Sequence, residues 1–185
     1  FSDDFKGKPY IQRQQLKSWG IEDMTWDEWA KSVSLYLGQL SLIDAQIGRV
    51  LAELDRLGAS DEVLLVYTSD HGDMCGGHRM LDKHFIMYDD VVKVPLLMRC
   101  PALIKAGLDH EGFVSSAIDL AATFCAAMGA AIPASFSGKS LMPCMAGETK
   151  PIRDDILCTY CGNQFGLFSQ RMVRNKKWKY VWNAT

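Results

Sequence analysis

Glu62-Val-Leu-Leu-Val-Tyr-Thr68, followed at once by Ser69-Asp-His-Gly72, is the stretch on which the fold turns. Seven nearly continuous apolar and β-favouring residues suit a strand covered on both faces, the pattern of a parallel sheet. Upstream, Thr25-Trp-Asp-Glu28 has the form of a capping box, in which the Thr hydroxyl accepts from the amide of Glu28 and the Glu carboxylate returns to the amide of Thr25. From there Trp29, Val33, Leu37, Leu40, Ile43, Ile47, Leu51 and Leu54 recur at steps of three and four. That spacing predicts a long helix with one apolar stripe facing a core, ended by Gly58. Helix, short loop and buried strand together predict an α/β fold, a mostly parallel β-sheet flanked by helices.

Further along, Val94-Pro-Leu-Leu-Met-Arg99 reads as a second strand, with Pro95 near its start where a missing donor does least harm. Residues 113–117 are a third candidate, and Asp119 to Met128 reads as a short helix ended by Gly129. After Pro151 the pattern changes to strands at 156–161, 167–174 and 178–182, a small antiparallel sheet. The division expected is residues 1–149 as the α/β part and 150–185 as a small β subdomain. Residues 1–24, polar and punctuated by Pro9 and Gly20, read as an irregular surface connection or the end of an earlier element. The chain opens on Phe1 without Met and stops just after a strand pattern, so a fragment of a larger fold is expected.

Composition narrows the function classes. With 185 residues, 48% apolar and 23% charged, the chain has material for a core. Residues 1–149 carry 13 basic and 20 acidic groups, whereas 150–185 carry 7 basic and 2 acidic, and an acidic body is not that of a nucleic-acid binder. The basic end, Arg171 to Trp182, interleaves cations with aromatics as single-strand binders do, but its alternation about Asn175-Lys-Lys177 already predicts a β-hairpin without a ligand. The most hydrophobic stretch, 117–132, is broken by Asp119 and stops at Pro133, so no membrane span is expected. The six cysteines lack the spacing of a disulfide framework; Cys158-Thr-Tyr-Cys161 has no second pair and lies on a strand, where positions three apart face opposite sides, so zinc is not expected there.

Chemistry concentrates after the first strand. Residues 68–90 hold three of the four His and five Asp, and in open α/β sheets ligands bind beyond the carboxyl ends of strands. Asp70 and His71 are adjacent at a bend before Gly72, where a carboxylate oxygen and a neutral imidazole nitrogen can converge on a divalent ion such as Ca, Mg, Mn or Zn; the alternative is an Asx turn with a solvated His. His78 and Lys83 follow a Gly76-Gly77 bend that could turn the chain back toward Asp70. A lysine there could hold an oxyanion during sulfuryl or phosphoryl transfer, or be an ordinary surface lysine.

The run Leu64-Leu-Val-Tyr-Thr-Ser-Asp-His-Gly-Asp-Met, then Gly-Gly-His78, Asp-Lys83 and Met87-Tyr-Asp-Asp-Val-Val-Lys-Val-Pro-Leu-Leu-Met98, resembles the sulfatases of the alkaline phosphatase superfamily. Ser41-Leu-Ile-Asp-Ala-Gln-Ile-Gly-Arg-Val-Leu51, Ala117-Ile-Asp-Leu-Ala-Ala-Thr123, Gly138-Lys-Ser-Leu141 and Arg171-Met-Val-Arg-Asn-Lys-Lys-Trp-Lys-Tyr180 resemble further landmarks in order, so the likeness covers roughly residues 25–182. It implies an alkaline phosphatase-like fold. Asp70 and His71 match metal ligands, usually for calcium, with manganese or magnesium as alternatives; Lys83 matches a sulfate contact; His78 falls at a Gly-x-His position near the substrate mouth. Asp44 matches the helix motif, with a structural role, and Ala122 stands where the family often has Pro.

In the family, an N-terminal part supplies two further metal-binding aspartates and a Cys/Ser-x-Pro/Ala-x-Arg motif whose first residue becomes the formylglycine nucleophile. No Cys or Ser of this chain, Cys75, Cys100 and Cys144 included, is followed by the whole pattern. The resemblance therefore implies the C-terminal part of a hydrolase of small sulfate esters, inactive by itself, with the nucleophile supplied from elsewhere. A phosphonate monoester or phosphodiester substrate is the alternative within the superfamily. A non-catalytic fragment, associating through surface that the N-terminal part would cover, is the alternative outside it.

Overall fold

A computed structural model describes residues 3–83, 86–162 and 167–184. The first element is one that the sequence reading passes over: α1, Tyr10–Trp19. Pro9 stands at its N-cap and Gly20, at φ 65°, ends it in a Schellman turn, with the Gly20 amide donating to the Lys17 carbonyl and the Ile21 amide to Leu16. Both Leu16 and Ile21 are buried, which locks the turn. The periodicity is hidden because two of the four buried positions on its inner face are glutamines, Gln12 and Gln15.

Helix α2, Trp26–Arg56, starts at the expected capping box: the Glu28 amide donates to Thr25 Oγ1 and the Thr25 amide to Glu28 Oε2 at 2.7 Å. The expectation that its stripe faces a core is corrected. Only Trp29 is buried, packed with Phe5, Leu16, Ile21, Met74, Met80, Ile86 and Val91, while Leu37, Leu40 and Ile43 are 55%, 42% and 49% exposed. Periodicity reports that a stripe exists, not that its partner lies within these residues.

Strands β1, Leu65–Thr68, and β2, Leu96–Arg99, pair antiparallel, with Leu65 opposite Arg99 and Thr68 opposite Leu96. The mostly parallel sheet is thus not found among the described residues, because a continuous apolar run reports burial on two faces and carries no information about strand direction. One face of the pair, Leu64, Val66, Leu96 and Met98, packs against Leu120, Leu141 and Met145. The other borders an open groove of about 470 Å³, lined by Leu40, Ile43, Ile47, Leu65, Tyr67 and Leu97. Between the strands lie a tight turn at Gly77–Arg79 and a one-turn helix α3, Asp89–Val92.

Residues 113–115 are not a strand; they lead into α4, Ser116–Ala127. Buried Asp119 accepts the Ser115 amide at 2.7 Å and so supplies the start of the helix. The same carboxylate accepts the Lys139 amide and a fork from Arg153 at 2.6 and 2.7 Å. Gly138 is required beside it, since a Cβ there would lie 2.0 Å from the Ile118 carbonyl oxygen.

After α5, Met142–Met145, strands β3 (Asp155–Gly162), β4 (Phe168–Asn175) and β5 (Lys179–Ala184) form the expected antiparallel sheet in that order. Its inner face carries Tyr160 and Phe168 onto Ile11 of α1. The hairpin at the basic end is present, with Asn175 Oδ1 accepting the amides of Lys177 and Trp178. Tyr180 and Trp182 face outward, since Val181 rather than either aromatic pairs with buried Met172. No helix of the described residues is long and apolar enough to cross a membrane.

Candidate functional site

The site begins where β1 ends. Ser69 Oγ donates to the His71 carbonyl at 2.7 Å, and the His71 amide donates to Asp70 Oδ1 at 2.9 Å, so the chain bends and both side chains leave on one side. His71 Nδ1 lies 2.9 Å from the Gly72 carbonyl, which can only accept; Nδ1 therefore carries a hydrogen, and Nε2 is the nitrogen left to face a ligand. That Nε2 stands 3.3 Å from Asp70 Oδ2. The hydrogen bond from the His71 amide, then the adjacent imidazole, hold the Asp70 carboxyl below its ordinary range, so it stays an anion. Two lone-pair donors facing each other need something positive between them, a proton or a cation. The Asx-turn alternative is not realised: Asp70 Oδ1 accepts from the next amide, His71, while the amide two residues on, that of Gly72, donates to the Val91 carbonyl.

Thr68 Oγ1, at the foot of this bend, is buried without a hydrogen-bond partner among the described residues. A carboxylate, an imidazole and a spare hydroxyl fit a hard or borderline divalent ion. The described residues hold no group of three or more His, Cys, Asp or Glu that could bind a metal by themselves.

Gly72 ties this bend to the next element. Its amide donates to the Val91 carbonyl at 2.8 Å, and a Cβ would sit 1.8 Å from the Asp90 carbonyl oxygen, so no other residue fits. The chain then makes a narrow loop: φ is 92° at Gly76, and Cys75, His78, Arg79 and Asp82 also sit at positive φ, between 44° and 63°. Four non-glycine residues in that region of eight mark strain that the surroundings must hold.

The surroundings are the N-terminal segment. His78 Nδ1 donates to Asp3 Oδ2 at 2.7 Å, and the ring stacks on Tyr88 with centroids 4.3 Å apart. Asp3 also accepts from Lys8, whose ammonium lies over the Tyr88 ring at 5.2 Å. Burial alone would raise the Asp3 carboxyl, but hydrogen bonds from Lys8, the Phe5 amide and His78 bring it down to about 2. Arg79 donates to the Glu22 carbonyl, and Tyr88 donates to Gln12 Oε1 at 3.3 Å.

Of the residues expected from sequence, Asp70 and His71 are brought together. His78 is held by Asp3 and Tyr88 rather than by that pair, and Lys83 is half-buried directly after left-handed Asp82. Asp44 is mid-helix and exposed on the wall of the apolar groove. Asp3, Lys8, Gln15 and Tyr88 were not legible as site residues, because their partners lie 66 to 80 positions away and no local spacing links them. Cys158 and Cys161 are free thiols on opposite faces of β3, as expected.

Comparison with known proteins decides what this arrangement belongs to. The sulfatase family model matches residues 4–130. The chain belongs to the sulfatase family. An N-acetylglucosamine-6-O-sulfatase of Bacteroides thetaiotaomicron is 35% identical over 151 residues, which is 82% of this chain and 24% of that protein. Among solved structures, a 2-O GAG sulfatase superposes with a TM-score of 0.78 at 26% identity, covering 86% of this chain and 35% of that one. The phosphonate monoester hydrolase of Agrobacterium radiobacter also gives 0.78, at 30% identity, over 86% and 34% of the two chains. The sulfatase chain thus spans about a quarter to a third of the length of the proteins it matches.

Proposed function

We propose that these residues form the C-terminal part of a metal-dependent sulfuric ester hydrolase, in which residues 1–149 complete an alkaline phosphatase-like α/β core and 150–185 form a small β subdomain. The full protein cleaves the sulfate ester of a small substrate, with a formylglycine nucleophile from sequence outside these 185 residues, which do not turn over alone. In the complete fold, β1 and β2 continue a mostly parallel sheet, and the apolar stripe of α2 with its groove is the surface that the rest of the chain covers.

The single observation that carries this reading is the facing of His71 Nε2 and Asp70 Oδ2 at 3.3 Å, with the tautomer fixed by the Gly72 carbonyl. These two residues would hold the divalent ion, Ca2+ by family resemblance with Mn2+ or Mg2+ as alternatives, and the ion would supply charge stabilisation to the ester oxygens. Asp70 contributes a full negative charge to that sphere, and His71 contributes a neutral donor whose orientation is set before any ligand arrives. Lys83 donates its ammonium N–H groups to an oxygen of the transferring group and balances its charge. His78, with Nδ1 committed to Asp3, presents Nε2 toward the substrate mouth as a polar contact.

A phosphonate monoester or phosphodiester substrate is the second reading, favoured by the likeness to the Agrobacterium phosphonate monoester hydrolase. Tetrahedral sulfuryl and phosphoryl groups ask for the same donors. Steady-state turnover of 4-nitrophenyl sulfate and of a 4-nitrophenyl phosphonate monoester by the full-length protein separates them, with chelation and re-addition of Ca2+, Mn2+ or Mg2+ identifying the ion. Turnover of neither, by protein with a stoichiometric ion, removes the hydrolase reading and leaves a non-catalytic module.

A further inference from the structure

Lys83 owes its place to a short stretch of backbone, and the way that stretch is held singles out a residue of α1. Three consecutive carbonyls lead into Lys83. Met80 O accepts the Gly76 amide at 2.9 Å and Asp82 O accepts the Met74 amide at 3.0 Å, both from within the loop. The middle one, Leu81 O, accepts Gln15 Nε2 at 3.0 Å from across 66 residues of sequence. It is the one of the three whose partner is a side chain.

Gln15 is fully buried, at 0% exposure. Because a carbonyl only accepts, the amide must turn its NH2 toward Leu81, and this leaves Gln15 Oε1 buried with no hydrogen-bond partner among the described residues. Packing alone would favour Leu or Met at this position, which fill the space without stranding an acceptor. The amide is there for its donor. What that donor restrains is the peptide immediately before Asp82, a residue at φ 63°. If the Leu81 carbonyl is released, the peptide entering Asp82 loses its tie to α1, and the chain can enter Lys83 in another direction.

We infer that Gln15 is a positioning residue for Lys83, fixing through the Leu81 carbonyl the direction in which the ammonium meets the anion of the substrate. The inference rests on the reading of Lys83 as an anion contact. A displacement of about 1 Å at a positioned group can cost roughly a hundredfold in rate, so the loss appears in kcat more than in KM.

The test uses the full-length protein with 4-nitrophenyl sulfate, or the phosphonate monoester if that is the ester turned over. Gln15→Met, close to isosteric, and Gln15→Asn, whose amide is one methylene too short, are each made alone and with Lys83→Ala. Ile11→Val on the same helix, packed instead on Phe168, is the control for loosening of α1. The expected result is a drop in kcat of roughly 10- to 100-fold for both Gln15 variants, unchanged metal content, wild-type kcat for Ile11→Val, and double variants within about twofold of Lys83→Ala, since a residue acting only through another adds nothing once that one is gone. Wild-type kcat in the Gln15 variants, or losses that multiply with that of Lys83→Ala, overturns the inference. Failure of both variants to fold does the same, since it makes Gln15 a determinant of folding. Wild-type turnover in Lys83→Ala instead removes the underlying reading of Lys83.

Discussion

Replacing Asp119 with Ala should cost this protein a large share of its stability, and the structure lets the loss be worked out. The carboxylate is wholly buried and accepts four hydrogen bonds, two from Arg153 and one each from the amides of Ser115 and Lys139. Removing it leaves the Arg153 guanidinium, itself only 13% exposed, without its counter-charge. Breaking one side of a buried pair costs about 3–5 kcal/mol. The two stranded amides add to this, each by about 1–3 kcal/mol if no water reaches it. A domain stabilised by about 5–15 kcal/mol overall would lose a third or more. The assay is urea unfolding of the full-length protein, followed by far-UV circular dichroism. Asp119→Leu with Arg153→Met is the companion, because removing both charges takes away the unpaired ion, and it should recover more than half of the loss. An Asp119→Ala midpoint shift worth less than about 1 kcal/mol, the scale of an exposed pair, would refute the reasoning, as would a double variant no better than the single one.

Three further outcomes are expected. His71→Ala should lower the metal content of the purified protein and weaken binding in a calorimetric titration at least tenfold, on the scale of losing one ligand; equal isotherms would remove it from the site. Gly72→Ala, whose Cβ would meet the Asp90 carbonyl at 1.8 Å, should abolish turnover or folding, and wild-type behaviour would mean that α3 is free to retreat. Asp3→Asn should destabilise with a pH signature: because the folded carboxyl titrates at about 2 and the free one at 3.8, the stabilisation is complete above about pH 4 and is lost as pH falls through that interval. Stability curves of the two proteins should therefore converge near pH 2, and a constant gap would place the effect in packing instead.

Much of the architecture was legible before any coordinates. The capping box at Thr25, the stops at Gly58 and Gly129, and the alternation after Pro151 are local signals, each complete within a few residues, and each fell where expected. Pairing direction was not legible, since Leu65 and Val66 look the same to either kind of neighbour. Helix α1 was missed for a related reason: Gln12 and Gln15 point inward, against the usual rule for amides, and broke the pattern that would have revealed it. At the site, adjacency announced Asp70 and His71, and the structure puts His71 Nε2 3.3 Å from Asp70 Oδ2. The support beneath them depends on contacts across more than sixty positions, such as Asp3 with His78, which a single sequence does not display.

The loop of left-handed residues has a consequence for anyone wishing to toughen this protein. Glycine or asparagine at Cys75, His78, Arg79 or Asp82 would relieve backbone tension, so a screen that rewards heat tolerance alone will tend to select such changes. Each of them would also hand back mobility to the segment that carries Lys83. Directed evolution of this scaffold is best scored on catalysis and melting temperature together.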